Sequence, residues 1–353
     1  MSVKYTAFSF LYKTLFKPIA FQIDPEVVHD MMTWTGERLE NQKTILSGLF
    51  AYQHPSLKKK VLGMTFDNPI GLAAGFDYDG HLAQVMKHVG FGFNTVGTVT
   101  AGSYEGNPKP RLGRLPKSKS LLVNKGFKSE GADKIAARLD KKKLNNHTVG
   151  ISIGSTNSPK INTISKAVDD YLYTFELFKN RKYVKYFELN ISCPNTAFPE
   201  SFVISKNFEQ LVKAISKVDL RQPIFVKMPN ELGNSETGKI ISTALKYGVQ
   251  GFIFSNLVKD RKNPALDPQE IKKFEDKKGN FSGKPTFNNS NNLIAYSRKK
   301  FGKDIAIIGC GGVFGYEDAM DKFASGADLV QLITGMIFQG PQIAGEICTQ
   351  LIS

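Results

Sequence analysis

The sequence predicts an α/β protein: a (β/α)8, or TIM, barrel carrying a small helical extension at its N-terminus. Three observations lead there. Eight short apolar runs follow one another from Pro69 to Ile333, amphipathic stretches of helical period separate them, and polar or glycine residues gather at the ends of most runs. Strands apolar along their whole length suit a parallel sheet covered on both faces. Eight of them alternating with helices over roughly 290 residues is the arithmetic of a closed barrel. A doubly wound open sheet is the competing arrangement.

The elements can be taken in order. In residues 1–53, Tyr5, Phe8, Leu11, Tyr12, Leu15, Phe16 and Ile19 recur at helical spacing, which predicts one amphipathic helix. Asp24 as N-cap with Pro25 at the first helical position announces a second, with an apolar stripe of Val28, Met31, Met32 and Leu39. Residues 1–23 hold Lys4, Lys13 and Lys17 and no carboxylate. This pair is either a helical layer packed on the main domain or an interfacial membrane anchor, for which basic and aromatic amphipathic surface is suited. The division expected is 1–55 for the extension and 56–353 for the barrel.

The eight runs are Pro69–Ala74, Phe93–Thr98, Val149–Ile153, Tyr186–Ile191, Pro223–Met228, Gly251–Ser255, Ile305–Ile308 and Leu329–Ile333. Helices are expected between them, among them Gly80–Val89, Asp133–Lys142, Phe208–Val218, Glu236–Tyr247 and Tyr316–Ser325.

Composition narrows the function classes. No apolar run reaches the roughly 18–20 residues needed to cross a bilayer. Cys193, Cys310 and Cys348 form no CxxC pair and the five histidines show no ligand spacing, so neither a disulfide framework nor a metal site is suggested and a reducing cytosol fits. The net charge of +15 is spread over lysine-rich segments such as Lys58–Lys60, Lys141–Lys143 and Lys272–Lys278. A solvated basic surface explains it better than a nucleic-acid face, and attraction to anionic lipid is a further reading.

In such barrels the chemistry lies at the C-terminal ends of the strands. There the chain places Ala74 to Asp77, Thr98, Ser152, Asn190 to Asn195, Lys227, Ser255, Asn256, Gly309 to Gly312, Thr334 and Gly335. The last two runs end in glycine-rich turns, as a phosphate site after strands seven and eight would need. Lys227 ends an apolar strand and requires an electron-rich partner, since burying it unpaired costs several kcal/mol. Cys193 follows its strand on a Ser-Cys-Pro-Asn turn, where a thiol can act as general base or acid if its pKa approaches neutrality.

These residues sit in a series of motifs: AAGFDYDG (73–80), GTVT (97–100), GNPKPRLGRLP (106–116), NISCPNT (190–196), VKMP (226–229), FSGKPT (281–286), IIGCGG (307–312) and LVQLITGMIFQGP (329–341). Together, and in this order, they resemble the dihydroorotate dehydrogenases, FMN-dependent barrels of pyrimidine synthesis. The helical extension is similar to that of the quinone-linked, membrane-associated class. The resemblance implies oxidation of dihydroorotate to orotate, FMN as cofactor, and quinone as electron acceptor. It also implies peripheral contact of residues 1–53 with the inner face of the cell membrane, in an otherwise cytoplasmic protein.

Position by position, the resemblance makes Cys193 the base that removes a proton from the dihydropyrimidine ring as hydride passes to flavin. It makes Asn190, Asn195 and Asn256 amides holding that ring, with the loop Asn124, Lys125, Gly126 and Phe127 beside it. Ala74, Gly75, Thr98, Ser152, Asn190, Lys227 and Ser255 match flavin contacts. Gly283, Gly311, Gly312, Thr334 and Gly335 match the backbone around ribityl and phosphate. Arg111 and Arg114 fall where that class supplies an arginine to the quinone site.

The chain departs from the pattern at several positions. Cys193 stands where quinone-linked members usually carry serine; cysteine is typical of the soluble class that uses fumarate or NAD. Tyr78 replaces a lysine of the AAGxDK motif, Asn124 lies one place late in the INxxGF loop, and Ser152, Leu257 and Ile333 replace asparagine, serine or threonine, and tyrosine. Loss of the lysine at Tyr78 and the presence of Lys125 suggest that Lys125 supplies the cation for the substrate carboxylate. The alternatives are a fumarate- or NAD-linked dihydroorotate oxidase, a barrel of the dihydrouridine synthase kind, and a non-catalytic phosphate-binding barrel.

Overall fold

The structure, a computed structural model, describes residues 3–192 and 202–352. Its N-terminal layer contains helices α1 (Val3–Leu11), α2 (Lys17–Ala20), α3 (Pro25–Arg38) and α4 (Lys43–Phe50), with one π-helical turn, Tyr12–Phe16, joining the first two. The Asp24 carboxylate accepts from the backbone N–H groups of Glu26 (2.8 Å) and Val27 (3.2 Å), and Pro25 opens α3, as its sequence requires. The stripe of the first helix divides. Tyr5 is buried and the Tyr12 hydroxyl donates to the Ile337 carbonyl at 2.8 Å, whereas Leu11, Leu15 and Ile19 face solvent.

The strands among the described residues are β1 (Lys59–Val61), β2 (Met64–Phe66), β3 (Ile70–Leu72), β4 (Phe93–Val99), β5 (Leu112–Leu115), β6 (Ser120–Val123), β7 (Val149–Ile153), β8 (Val184–Asn190), β9 (Ile224–Met228), β10 (Gly251–Phe254), β11 (Asn280–Phe281), β12 (Ala306–Cys310) and β13 (Leu329–Leu332). Eight of them close a parallel barrel in the order β3-β4-β7-β8-β9-β10-β12-β13. They are the eight predicted runs. Around it stand α5 (Ala132–Leu139), α6 (Ile164–Phe178), α7 (Ser205–Ile215), α8 (Asn234–Lys246), α9 (Pro268–Lys272), α10 (Phe287–Phe301), α11 (Tyr316–Ser325), α12 (Thr334–Gln339) and α13 (Ile343–Gln350).

One expected helix is absent. Gly80–Val89 is a run of turns, with Val85 N–H bonding back three residues to the Leu82 carbonyl and Met86 N–H four. Its apolar spacing still works, because Leu82, Ala83, Val85 and Met86 are buried, and the Asp77 carboxylate holds the start by accepting from Leu82 N–H at 3.1 Å. Burial pushes the Asp77 carboxyl up to about 6.

The barrel interior explains several glycines and sets the height of the mouth. A Cβ on Gly71, Gly150 or Gly251 would meet the rings of Phe93, Tyr186 or Phe225 within 2.5 Å, so these glycines make room for an aromatic floor, which Phe66 of the β1–β2 hairpin joins. Residues two apart on a strand share a face. Above Tyr186 therefore comes Glu188, whose carboxylate accepts from Thr95 (2.6 Å) and Gln331 (2.7 Å), and above Glu188 comes Asn190. Asn190 pairs in register with Lys227 of β9. Beyond the mouth, β5, β6 and β11 form a separate antiparallel sheet that carries the loop after β6 over the opening.

Candidate active site

Among the described residues, five side chains at the mouth form one hydrogen-bonded line. Asn256 Nδ2 reaches Asn190 Oδ1 at 3.5 Å and donates to Ser192 Oγ at 2.8 Å. Asn190 Nδ2 donates to Thr98 Oγ1 at 3.0 Å, and Thr98 shares a 3.0 Å hydroxyl contact with Ser152. The line fixes which end of the Asn190 amide is donor and which acceptor. Ser152 is buried and acts on the cavity only through Thr98. Cys193 and Asn195 lie outside the described residues.

Two cavities meet there. The smaller, about 100 Å³, is lined by Lys227, Ser255, Gly283, Gly311, Gly312, Thr334 and Gly335, which lie in five separate loops and strand ends. Its walls are backbone by necessity. Gly283, Gly311 and Gly312 have φ of 77°, 110° and 75°, and a Cβ on Gly335 would lie 1.9 Å from the Val313 carbonyl oxygen. Lys227 is buried with Nζ 3.2 Å from Cys310 Sγ, and among the described residues no carboxylate lies within ion-pair distance of it. A cradle of exposed backbone with a buried ammonium of this kind fits a planar, electron-rich, phosphate-bearing group.

The larger cavity, about 450 Å³, shares Ala74, Asn256, Leu257, Ser282, Ile333 and Thr334 with the smaller one. At its inner end are Gly75, Thr98, Lys125, Gly126, Phe127 and Asn190. Outward it becomes apolar, bounded by Tyr12, Phe16, Phe21, Val28, Met32 and Leu39 of the N-terminal layer. Arg114 lines it, with its Nη1 donating to the Ile23 carbonyl at 2.6 Å and its guanidinium over the Phe21 ring. Arg111 does not line it. It turns instead to Glu26 at 3.6 Å and to the Asn107 carbonyl at 2.6 Å.

The loop after β6 is strained where it meets the cavity. Phe127 has φ of 64°, an unusual conformation for a bulky residue, and its ring lies where a Cβ on Gly154 would be. Asn107 Nδ2 donates to Asn124 Oδ1 at 2.9 Å, and Asn157 Nδ2 to the Gly126 carbonyl at 3.0 Å. Asn124 is thereby held behind the cavity wall, whereas Lys125 lines the cavity, with Nζ 4.2 Å above the Tyr78 ring.

Sequence reasoning missed several residues. Asn230, buried, donates to Ser255 Oγ at 2.6 Å and to the Thr286 carbonyl at 3.0 Å; Ser282 contacts Thr334 Oγ1 at 2.8 Å. Asn230 directly follows the quoted motif VKMP and Ser282 lies within FSGKPT, which was the available signal. His29 of α3 also lines the larger cavity, with Nε2–H donating to the Phe76 carbonyl at 2.7 Å. Burial, then the nearby Lys125 charge, holds its pKa below the ordinary range, so the ring is neutral near pH 7. Among the described residues no three His, Cys, Asp or Glu side chains are grouped to hold a metal ion.

Comparison with known proteins places this geometry. The family model for dihydroorotate dehydrogenase matches residues 56–353. The chain is 33% identical over 359 residues to a protein of Cyanothece sp. named dihydroorotate dehydrogenase (quinone), covering 97% of this chain and 94% of that one. It is 35% identical over 352 residues to the protein of that name from Synechococcus sp., with 96% and 91% covered. Two crystal structures of DHODH from Eimeria tenella resemble it at a TM-score of 0.81 each. The ligand-free one is 28% identical, covering 93% of this chain and 94% of that one; the one in complex with ferulenol is 26% identical, covering 93% and 90%. The chain belongs to the dihydroorotate dehydrogenase family.

Proposed function

We infer that this chain oxidises dihydroorotate to orotate with quinone as electron acceptor, and that its cofactor is FMN. The carrying observation is the junction of the two cavities: a backbone cradle with a buried ammonium opens, through shared walls, into an apolar chamber roofed by the N-terminal helices. When bound in the cradle, FMN supplies the two-electron acceptor. Gly283, Gly311, Gly312 and Gly335 would leave space for its phosphate-bearing end, with Thr334 beside them, while Lys227 and Ser255, beside Ala74 and Gly75, would hold its ring.

The chain's own residues do the rest. Asn190 and Asn256, with Asn195, present amides to the carbonyl and N–H groups of the dihydropyrimidine. Thr98 and Ser152 hold the Asn190 amide in one orientation. Cys193 accepts the ring proton at Sγ. Phe127 and the apolar wall exclude water from the reacting face. Arg114, held by backbone carbonyls of the N-terminal layer, is positioned for a quinone oxygen; Arg111 supports the loop instead.

Exposed apolar side chains concentrate on the N-terminal layer, with Phe10, Leu15, Ile19, Met31, Trp34 and Ile45 each more than half exposed. No helix among the described residues is long and apolar enough to cross a membrane. This supports contact of the layer with a membrane surface, from which quinone enters the chamber.

The test of function is anaerobic: dihydroorotate is expected to bleach the bound flavin, and a quinone analogue to restore its absorbance faster than fumarate or NAD does. A protein that fumarate reoxidises best overturns the quinone reading, and one that dihydroorotate does not bleach overturns the whole. Lys125 is read as the cation for the substrate carboxylate. Lys125→Ala is expected to raise the Michaelis constant for dihydroorotate about 10- to 150-fold, since a charge-assisted bond is worth about 1.5–3 kcal/mol. An unchanged constant removes that assignment.

A further inference from the structure

One buried acid of the N-terminal layer faces away from the chamber and into the loop that reaches substrate. Glu26, in the first turn of α3, has a side chain 8% exposed; its Oε1 lies 3.3 Å from Lys125 Nζ and 3.6 Å from Arg111 Nη1. Lys125, itself 10% exposed, sits between that carboxylate and the Tyr78 ring, whose other neighbour is His29, stacked at 4.8 Å. A carboxylate this deep between two cations in separate loop positions is not a solvated surface pair. Breaking it leaves a buried charge uncompensated.

We propose that Glu26 is a positioning residue for the dehydrogenase half-reaction: through Lys125 it makes the N-terminal layer part of the dihydroorotate site as well as a wall of the quinone chamber. The inference rests on the reading of Lys125 as the substrate's cation. An ammonium has three donors, so one can stay on Glu26 while another meets the substrate carboxylate. Arg111, anchored to the Asn107 carbonyl at 2.6 Å, shares Glu26 and ties the same acid to the Asn107–Asn124 contact, so the adjacent loop residues Asn124 and Lys125 both answer to α3.

Glu26 also sets the charge state that substrate meets. Desolvation brings Lys125 down to about 8, and Glu26, then Asp30, oppose that fall while Lys128 adds to it. Tyr78, His29 and Arg111 complete the facing groups; the first two are neutral near pH 7, and Arg111 is a fixed positive charge. The sign follows. Lys125 is charged below about pH 8 and loses its proton above it, so affinity for an anionic substrate falls as pH rises through 8. Without the Glu26 charge the ammonium is less favoured and the break moves to lower pH.

The experiment is rapid-mixing anaerobic flavin reduction by dihydroorotate in the full chain, without quinone, from pH 6 to 10 as roughly the range spanning Lys125 ionisation. Glu26→Gln is expected to raise the apparent dissociation constant of dihydroorotate, read from saturation of the reduction rate, about three- to tenfold at neutral pH, with the limiting rate retained, and to move its alkaline break downward. Glu26→Asp, which keeps the charge, should hold the break near that of the unaltered protein. Lys125→Arg, charged throughout, should remove it. An unchanged constant and break in Glu26→Gln, with the defect confined to quinone turnover, overturns the proposal and leaves the assignment of function standing. A break displaced equally by the Gln and Asp variants overturns it too, as does an unaltered protein with no break near 8. Failure of Lys125→Ala to affect dihydroorotate binding removes the reading beneath it.

Discussion

Cys193→Ala is expected to slow anaerobic flavin reduction by dihydroorotate about 10²- to 10⁴-fold, the usual worth of a positioned proton acceptor. Orotate affinity should change little, because the amides that hold the ring are separate residues. Position 193 lies outside the described residues, but its approach is fixed: β8 carries Tyr186, Glu188 and Asn190 inward in successive layers, and Ser192 Oγ is tied to the Lys227 carbonyl at 3.1 Å and to Asn256 at 2.8 Å. Cys193→Ser should retain part of the rate, with its rise displaced to higher pH, because a hydroxyl is far less acidic than a thiol of pKa about 8.5. Rapid-mixing absorbance of the flavin measures both. An alanine variant within tenfold of the unaltered protein would remove Cys193 as the base.

Where the sequence was legible, burial on both faces made it so. Val149–Ile153 is a strand to the residue, and the other seven barrel strands depart from their apolar runs by at most two positions at either end. A strand enclosed by helices has no polar face to blur its limits. Gly80–Val89 shows the converse. Its spacing fits a helix, yet the Asp77 carboxylate and reverse turns bury the same side chains without one. The β5-β6-β11 sheet was missed because its strands are four, four and two residues long and β11 joins from far along the chain. The glycine cradle could be read from the residues, since only glycine tolerates those approaches. The Glu26–Lys125 contact could not, because pairing between a helix of the extension and a loop of the barrel leaves no periodic trace in either.

Lys227→Met should act with opposite signs on the two states of the protein. In the flavin-free chain, Lys227 is a buried ammonium with its Nζ 3.2 Å from the Cys310 sulfur and no carboxylate among the described residues within ion-pair distance, and an ion so placed costs several kcal/mol of stability. Methionine fills similar volume without charge, so the flavin-free variant is expected to melt at a higher temperature. With flavin bound in the proposed cradle the ammonium would gain an electron-rich edge, and deleting it should weaken flavin binding about 10- to 150-fold, corresponding to about 1.5–3 kcal/mol for a charged hydrogen bond. Flavin-bound stability then falls, because stabilisation by a ligand scales with the logarithm of its concentration over Kd. Calorimetry of both forms with flavin titration distinguishes this from a lysine that merely reaches to solvent along its stem. In that case neither the flavin-free melting point nor the flavin affinity would move, and the cradle would owe its ligand to backbone alone.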